Sequence, residues 1–151
     1  MSNFKIMLVD DEERFLSTTE KLLTRKGYEV VTAGSGQEAL AKLNQHLVPV
    51  VVMDVKMPGM DGVTTLKEIK KNFPLVEVIM LTGNATVESA IDGLKSGAFD
   101  YLMKPCEIDE LLEKAAEAFD KKKRMEEKIR MAQTRSYMKS PREILKEAEG
   151  E

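Results

Sequence analysis

The chain of 151 residues is 42% hydrophobic and 32% charged, with a net charge of −3, the profile of one ordinary globular domain with little chain left over. A single cysteine, Cys106, and a single histidine, His46, exclude an internal disulfide and a zinc cluster, and no apolar run approaches the ~20 residues needed to span a bilayer. Charge is uneven: residues 1–119 hold 13 basic against 19 acidic side chains, whereas residues 120–151 hold 10 against 7, so a mildly basic tail follows an acidic body. The start, "MSNFKIMLVDD", has neither the basic opening nor the cleavage site of a signal peptide, which makes the cytoplasm the expected compartment.

The first apolar run, "FKIMLV" (4–9), shows no alternation, as in a strand covered on both faces. It ends in Asp10-Asp11-Glu12-Glu13, four carboxylates whose mutual repulsion demands a reason. Glu12 and Glu13 suit the positive end of a helix dipole, but that leaves Asp10 and Asp11 unexplained. Phe15, Leu16, Thr19, Leu22 and Leu23 then fit one helical face, and Gly27 sits where that helix should end. "YEVVTA" (28–33) reads as a second strand, and Ser35 as the N-cap of "GQEALAKL". His46 falls at the end of that helix.

"PVVVMD" (49–54) is a third strand, again buried in character and ending in Asp54. "PGMDG" has the composition of a turn, and a helix from roughly Val63 to Asn72 stops ahead of Pro74. "VEVIML" (76–81) leads into Thr82-Gly83. Val87, Ala90, Ile91 and Leu94 share a helical face closed by Gly97, and "FDYLM" (99–103) precedes Lys104-Pro105. Five strands alternating with helices predict an open parallel sheet with helices on both faces, whose polar chemistry gathers beyond the carboxyl ends of the strands.

At those ends fall Asp10, Asp11, Asp54, Thr82 and Lys104. Three converging aspartates call for a cation, and hard oxygen ligands without His or Cys suit Mg²⁺. A metal, a lysine and a hydroxyl around a carboxylate are the parts that stabilise a transferring phosphoryl group, and one carboxylate could be the nucleophile.

"LVDDEE", "VVVMDVKMPGMDG", "VIMLTG" and "GAFDYLMKP" together resemble the receiver domain of two-component response regulators over about residues 4 to 119. The resemblance implies a flavodoxin-like five-stranded sheet of order 2-1-3-4-5, with residues 1–119 as the receiver and 120–151 as a helical extension or linker. It implies Asp54 as phosphoacceptor from a sensor histidine kinase or phosphotransfer protein. Mg²⁺ would be held by Asp11, Asp54 and the backbone carbonyl of Lys56, with Asp10 acting mainly through metal-bound water. Thr82 and Lys104 would meet the phosphoryl oxygens, Tyr101 would turn inward when Thr82 is drawn to the phosphate, and the Lys104–Pro105 bond would be cis. The outcome is a signalling switch acting through the fourth helix, fifth strand and fifth helix, not an enzyme with a separate substrate.

Three rivals are weaker. A haloacid-dehalogenase-type phosphatase wants Asp-x-Asp after the first strand, where this chain has Asp-Asp-Glu. A pseudo-receiver that has lost phosphorylation would lack one of the acidic, Thr or Lys positions, and none is missing. "KKKR" (121–124) inside a helix reads as a solvated face, so no direct nucleic-acid or membrane binding is expected. Cys106 reads as structural, yet open to oxidation beside the site.

Beyond Pro105, Ile108, Leu111, Ala115, Ala118, Met125, Ile129 and Ala132 keep a 3–4 spacing broken by Lys122. They predict a helix from about Glu107 to Gln133 that outruns the domain and either pairs weakly with a second copy or stays solvated and frays. Ser140, Pro141 and Glu143 carry a capping-box pattern for a short terminal helix. Similarity of "GAFDYLMKP" and the long helix to receivers preceding ATPase activators leaves open either a stand-alone regulator or a piece of a longer one.

Overall fold

The apolar runs without alternation form the centre of a five-stranded parallel sheet, ordered β2-β1-β3-β4-β5. The computed structural model describes residues 3–83 and 87–137. The strands are β1 (Ile6–Val9), β2 (Val30–Ala33), β3 (Val50–Asp54), β4 (Glu77–Thr82) and β5 (Asp100–Met103). Between and after them run α1 (Glu13–Arg25), α2 (Gly36–Leu43), α3 (Gly62–Asn72), α4 (Val87–Lys95) and α5 (Ile108–Tyr137). The expected architecture and strand order are both observed.

Alternate residues of each strand feed two different cores, which is why the central strands are apolar throughout. Met7, Val9, Val51, Met53, Val78 and Met80 pack with Ala39 and Leu43 of α2 and with Leu66 and Ile69 of α3. Ile6, Leu8, Val50, Val52, Ile79 and Leu81 pack with Leu16 and Leu23 of α1 and with Leu111, Ala115 and Ala118 of α5.

Helix ends follow local chemistry. Gly27 and Gly97 adopt φ of +94° and +107° after α1 and α4, conformations that only glycine takes without strain. Ser35 Oγ accepts from the Glu38 amide at 3.1 Å, and the Glu38 carboxylate accepts from the Gly34 amide at 2.8 Å, a reciprocal cap. The turn "PGMDG" also contains a cap the sequence reading passed over: Asp61 Oδ1 accepts from the Thr64 amide at 2.8 Å to start α3.

Two helical faces point differently from expectation. Leu22 of α1 is exposed, while Leu16, Thr19 and Leu23 are buried. On α4, Ile91 and Leu94 are exposed and Gly93 is buried, with the position of its missing Cβ 3.6 Å from Met80 Cγ. A periodic apolar stripe marks a face but not its direction. Among the described side-chain positions of α4, the buried one facing β4 is Gly93.

α5 extends past the predicted Gln133 to Tyr137, about 45 Å at 1.5 Å per residue. Its apolar packing against the domain ends near Phe119, which stacks on Phe4 with centroids 4.4 Å apart. Just beyond, Lys121 reaches Glu77 at 3.5 Å, and Lys70 approaches the same carboxylate at 3.8 Å. Glu77 is only 3% exposed; burial lowers the Lys70 pKa, Glu77 opposes that shift, and Lys121 adds to it. The capping pattern at Ser140 lies outside the described residues.

The Asp61 cap makes a pH-dependent contribution. Hydrogen bonds from Thr64, backbone first, hold its pKa below the usual aspartate value. Its stabilisation is therefore present above the unfolded-state pKa and is lost as pH falls through the lower folded value. Asp61→Ala should cost about 1 kcal/mol in urea unfolding at neutral pH, with the deficit shrinking on acidification. Asp61→Asn, which keeps an acceptor without the charge, should remove most of the pH dependence of this site.

Candidate functional site

The register of the sheet assembles the site. Val9 pairs with Met53, so the next residues, Asp10 and Asp54, stand side by side at the carboxyl edge. Asp10 is 1% exposed and Asp54 9%; Asp11, one residue on, is exposed. One oxygen from each of Asp10, Asp11 and Asp54 can be chosen so that all lie within 4.8 Å of one another. Thr82 is buried at the end of β4, and its carbonyl accepts from the Lys104 amide at 2.7 Å, which brings the lysine to the same edge.

Lys104 is held by several groups at once. Its Nζ lies 2.6 Å from Asp10 Oδ2, 3.7 Å from Asp54 Oδ2 and 3.7 Å from Glu12 Oε1. It also sits 4.3 Å from the centroid of the Phe15 ring. Burial alone would lower its pKa, but the hydrogen bond and charge of Asp10, with Asp54 and Glu12, raise it on balance. Asp54 is pushed above the usual aspartate value by burial first and by Asp10 next, with Asp11 adding; Lys104 and the Lys56 amide oppose the shift. That amide donates to Asp54 Oδ1 at 3.3 Å.

The second glycine of "PGMDG" closes the loop over β3. The Gly62 amide donates to the Val55 carbonyl at 2.9 Å. A Cβ at Gly62 would collide with the Asp54 carbonyl oxygen and lie 2.8 Å from Val55 Cα, so any side chain there would force the loop off the phosphoacceptor candidate. Asp11, Lys56, Pro58 and Asp61 line a cleft of about 460 Å³ beside the carboxylates.

All of Asp10, Asp11, Asp54, Thr82 and Lys104 thus reach one edge, with Lys56 beside them. Tyr101, on β5, is half-buried against the Met53 and Met80 core, and its hydroxyl is buried without a hydrogen-bond partner among the described residues. The Lys104–Pro105 peptide bond is cis, as the resemblance implied. Cys106 is partly buried, donates to the Glu107 carbonyl at 3.4 Å, and is pushed up to about 11 by burial and by Glu110. The raised value keeps the thiolate scarce, which disfavours oxidation. His46 follows α2 and donates its amide to Lys42.

Sequence reasoning missed three contributors: Gly62, Glu12 and Phe15. Glu12 had been explained by the helix dipole and Phe15 by the helical core face. Neither signal could show that both meet Lys104, 89 or more residues away in the chain.

The donor set fits a divalent cation. Three carboxylates with hard oxygens, two of them buried and one with a raised pKa, are relieved by a small dication that keeps part of its water shell.

A five-stranded doubly wound sheet of this order with a carboxylate cluster at its carboxyl edge is the arrangement of a receiver-type signalling domain. The model for the response regulator receiver domain matches residues 6–116, and the chain belongs to that family. It is 42% identical over 116 residues to the transcriptional regulatory protein ZraR of Escherichia coli (strain K12), which covers 75% of this chain and 26% of ZraR. The chain therefore spans about a quarter of the length of that curated relative. A receiver domain from Clostridium thermocellum superposes with a TM-score of 0.76 at 39% identity, covering 82% of this chain and 99% of that one. The beryllofluoride-activated NtrC4 receiver domain dimer gives a TM-score of 0.73 at 36% identity, covering 78% and 98%.

A raised Asp54 pKa means that its ionised form weakens the fold. The penalty is absent below the unfolded-state pKa and grows as pH rises through the folded one. Without divalent ions at neutral pH, Asp54→Asn should raise the melting temperature, by about 2–4 °C for each kcal/mol relieved in a chain of this size. The gain should fade in thermal scans run at progressively lower pH.

Proposed function

We propose that this receiver takes a phosphoryl group onto Asp54 from a histidine kinase or phosphotransfer protein, with Mg²⁺, and thereby switches a protein-binding face. The observation that carries the reading is the placement of the Lys104 ammonium 3.7 Å from Asp54 Oδ2, inside a cluster of three carboxylates that can converge within 4.8 Å. In the transfer, an Asp54 oxygen forms the new bond to phosphorus while the bond to the donor's nitrogen or acyl oxygen breaks, and the donor keeps that electron pair.

Asp11, Asp54 and the Lys56 carbonyl would hold the ion. Both oxygens of Asp10 already have protein partners, the Glu12 amide at 3.0 Å and Lys104 at 2.6 Å, which favours its role through metal-bound water. When bound, Mg²⁺ neutralises carboxylate and phosphoryl charge. Lys104 moves from Asp10 towards the incoming oxygens, and Thr82, buried at the neighbouring strand end, offers its hydroxyl. The domain promotes transfer to itself and its own dephosphorylation, in which water takes the phosphoryl group and Asp54 regains its carboxylate; it turns over no separate substrate.

The added charge of about −1.5 to −2 draws Thr82 and Lys104 together. Tyr101 is the natural second element of the switch. A buried hydroxyl without a partner among the described residues costs about 1–3 kcal/mol, so its resting position is not deep. Its movement would reshape the surface formed by α4, β5 and α5, where Ile91, Leu94 and Met103 are already exposed.

The extension of α5 supplies an association surface. Met125, Ile129 and Met131 are 39%, 42% and 53% exposed beyond the domain edge, and each fully buried would contribute about 1.5–3 kcal/mol. Lys122, which interrupts the stripe, is paired within the helix to Glu126 at 2.9 Å. The dimer reported for the NtrC4 receiver supports the same reading here.

Incubated with a small acyl phosphate and Mg²⁺, the chain should gain one phosphoryl group by intact mass, and Asp54→Ala none; a labelled Asp54→Ala would remove that residue as acceptor. Mg²⁺ should also raise the melting temperature by binding the folded state, a response that Asp11→Ala should largely abolish. In sedimentation, the full chain should show a concentration-dependent dimer enhanced by phosphorylation, and a chain ending at Phe119 should stay monomeric. Monomers in both would assign the extension another purpose.

A further inference from the structure

The Lys104 side chain is only 17% exposed and has three carboxylates around it, yet one of its neighbours is apolar: the Phe15 ring, 4.3 Å from Nζ at the centroid. Phe15 and Glu12 are three residues apart at the start of α1, a spacing that puts both on one side of its first turn. Glu12 Oε1 is 3.7 Å from the same ammonium. Phe15 and Lys104 both border a groove of about 540 Å³, lined also by Glu12, Arg14, Leu22 and Pro105. Without the ring, the flexible four-carbon stem of Lys104 would have this groove to turn into.

The two kinds of neighbour act differently on the ammonium. The 2.6 Å contact with Asp10 is directional and holds the charge away from Asp54. Attraction to an aromatic face extends to ~6 Å from the centroid. From 4.3 Å, the ammonium can therefore shift from Asp10 towards Asp54 and remain under the pull of the ring.

We propose that Phe15 is a positioning residue for phosphoryl transfer: its ring face holds the Lys104 ammonium beside Asp54 while the lysine exchanges Asp10 for the incoming oxygens. This rests on the reading of Asp54 as the acceptor. It makes the first turn of α1 part of the site through an aromatic face as well as through the Glu12 charge. A leucine, equal in apolar character but without a π face, cannot substitute for it, whereas a tyrosine can.

The test compares wild type, Phe15→Leu and Phe15→Tyr in the full chain, with a small acyl phosphate at saturating Mg²⁺. Phe15→Leu should slow labelling of Asp54 by about threefold to tenfold, and Phe15→Tyr should stay within about twofold of wild type. The Mg²⁺ midpoint and melting temperature should be similar in all three. In NMR, the Lys104 side-chain protons should show an upfield ring-current shift that Phe15→Leu removes and Phe15→Tyr retains. Equal rates for wild type and Phe15→Leu, or equal slowing by Leu and Tyr, would overturn the positioning role alone. A wild-type chain that is never labelled on Asp54 would overturn the reading of the site, and this inference with it.

Discussion

Much of this structure is organised by the repulsion among Asp10, Asp11 and Asp54 and by what compensates it. Burial and neighbouring carboxylates push Asp54 above the usual aspartate value, while the Lys56 amide and Lys104 oppose them. The site is thus poised electrostatically. It welcomes positive charge, and the Lys104 ammonium is divided between Asp10, Asp54 and Glu12 at 2.6, 3.7 and 3.7 Å. A group that binds one partner tightly and two others loosely can change partners at small cost, which is what a charge-driven switch requires.

Such an arrangement needs a rigid frame, and the doubly covered sheet provides it. Residues of each strand alternate between two apolar cores, so a shift of one residue in register would move Asp54 off the line of Asp10 and turn it towards the α2 and α3 side. The loops at the carboxyl edge are correspondingly tight. Gly62 allows α3 to start against the Asp54 carbonyl, and Asp61 caps the same helix. The loop after Asp54 is therefore held close to β3.

At the opposite edge, chemistry serves a different end. Glu77 is buried at the start of β4 and meets Lys70 from α3 and Lys121 from α5. Breaking one partner from a buried charge is costly, so this cluster ties α5 to the sheet at the point where its apolar contacts run out. The direction in which the exposed Met125 and Ile129 leave the domain is set there, far from the carboxylates.

The sequence by itself determined the element order, the parallel sheet and the five residues of the acidic edge. These depend on periodicity and on what stands at the end of each apolar run, and both are local properties of the chain. The family resemblance added the 2-1-3-4-5 strand order and the cis bond before Pro105. Tertiary structure alone decided which way the apolar stripes face. Ile91 and Leu94 of α4 and Leu22 of α1 lie outward because helix rotation about its axis is set by contact with the sheet, as at Gly93 against Met80. It alone also joined Glu12 and Phe15 to Lys104, and Glu77 to Lys121, since these pairs lie far apart along the chain. Their energies come from distances and burial that no spacing in the sequence encodes.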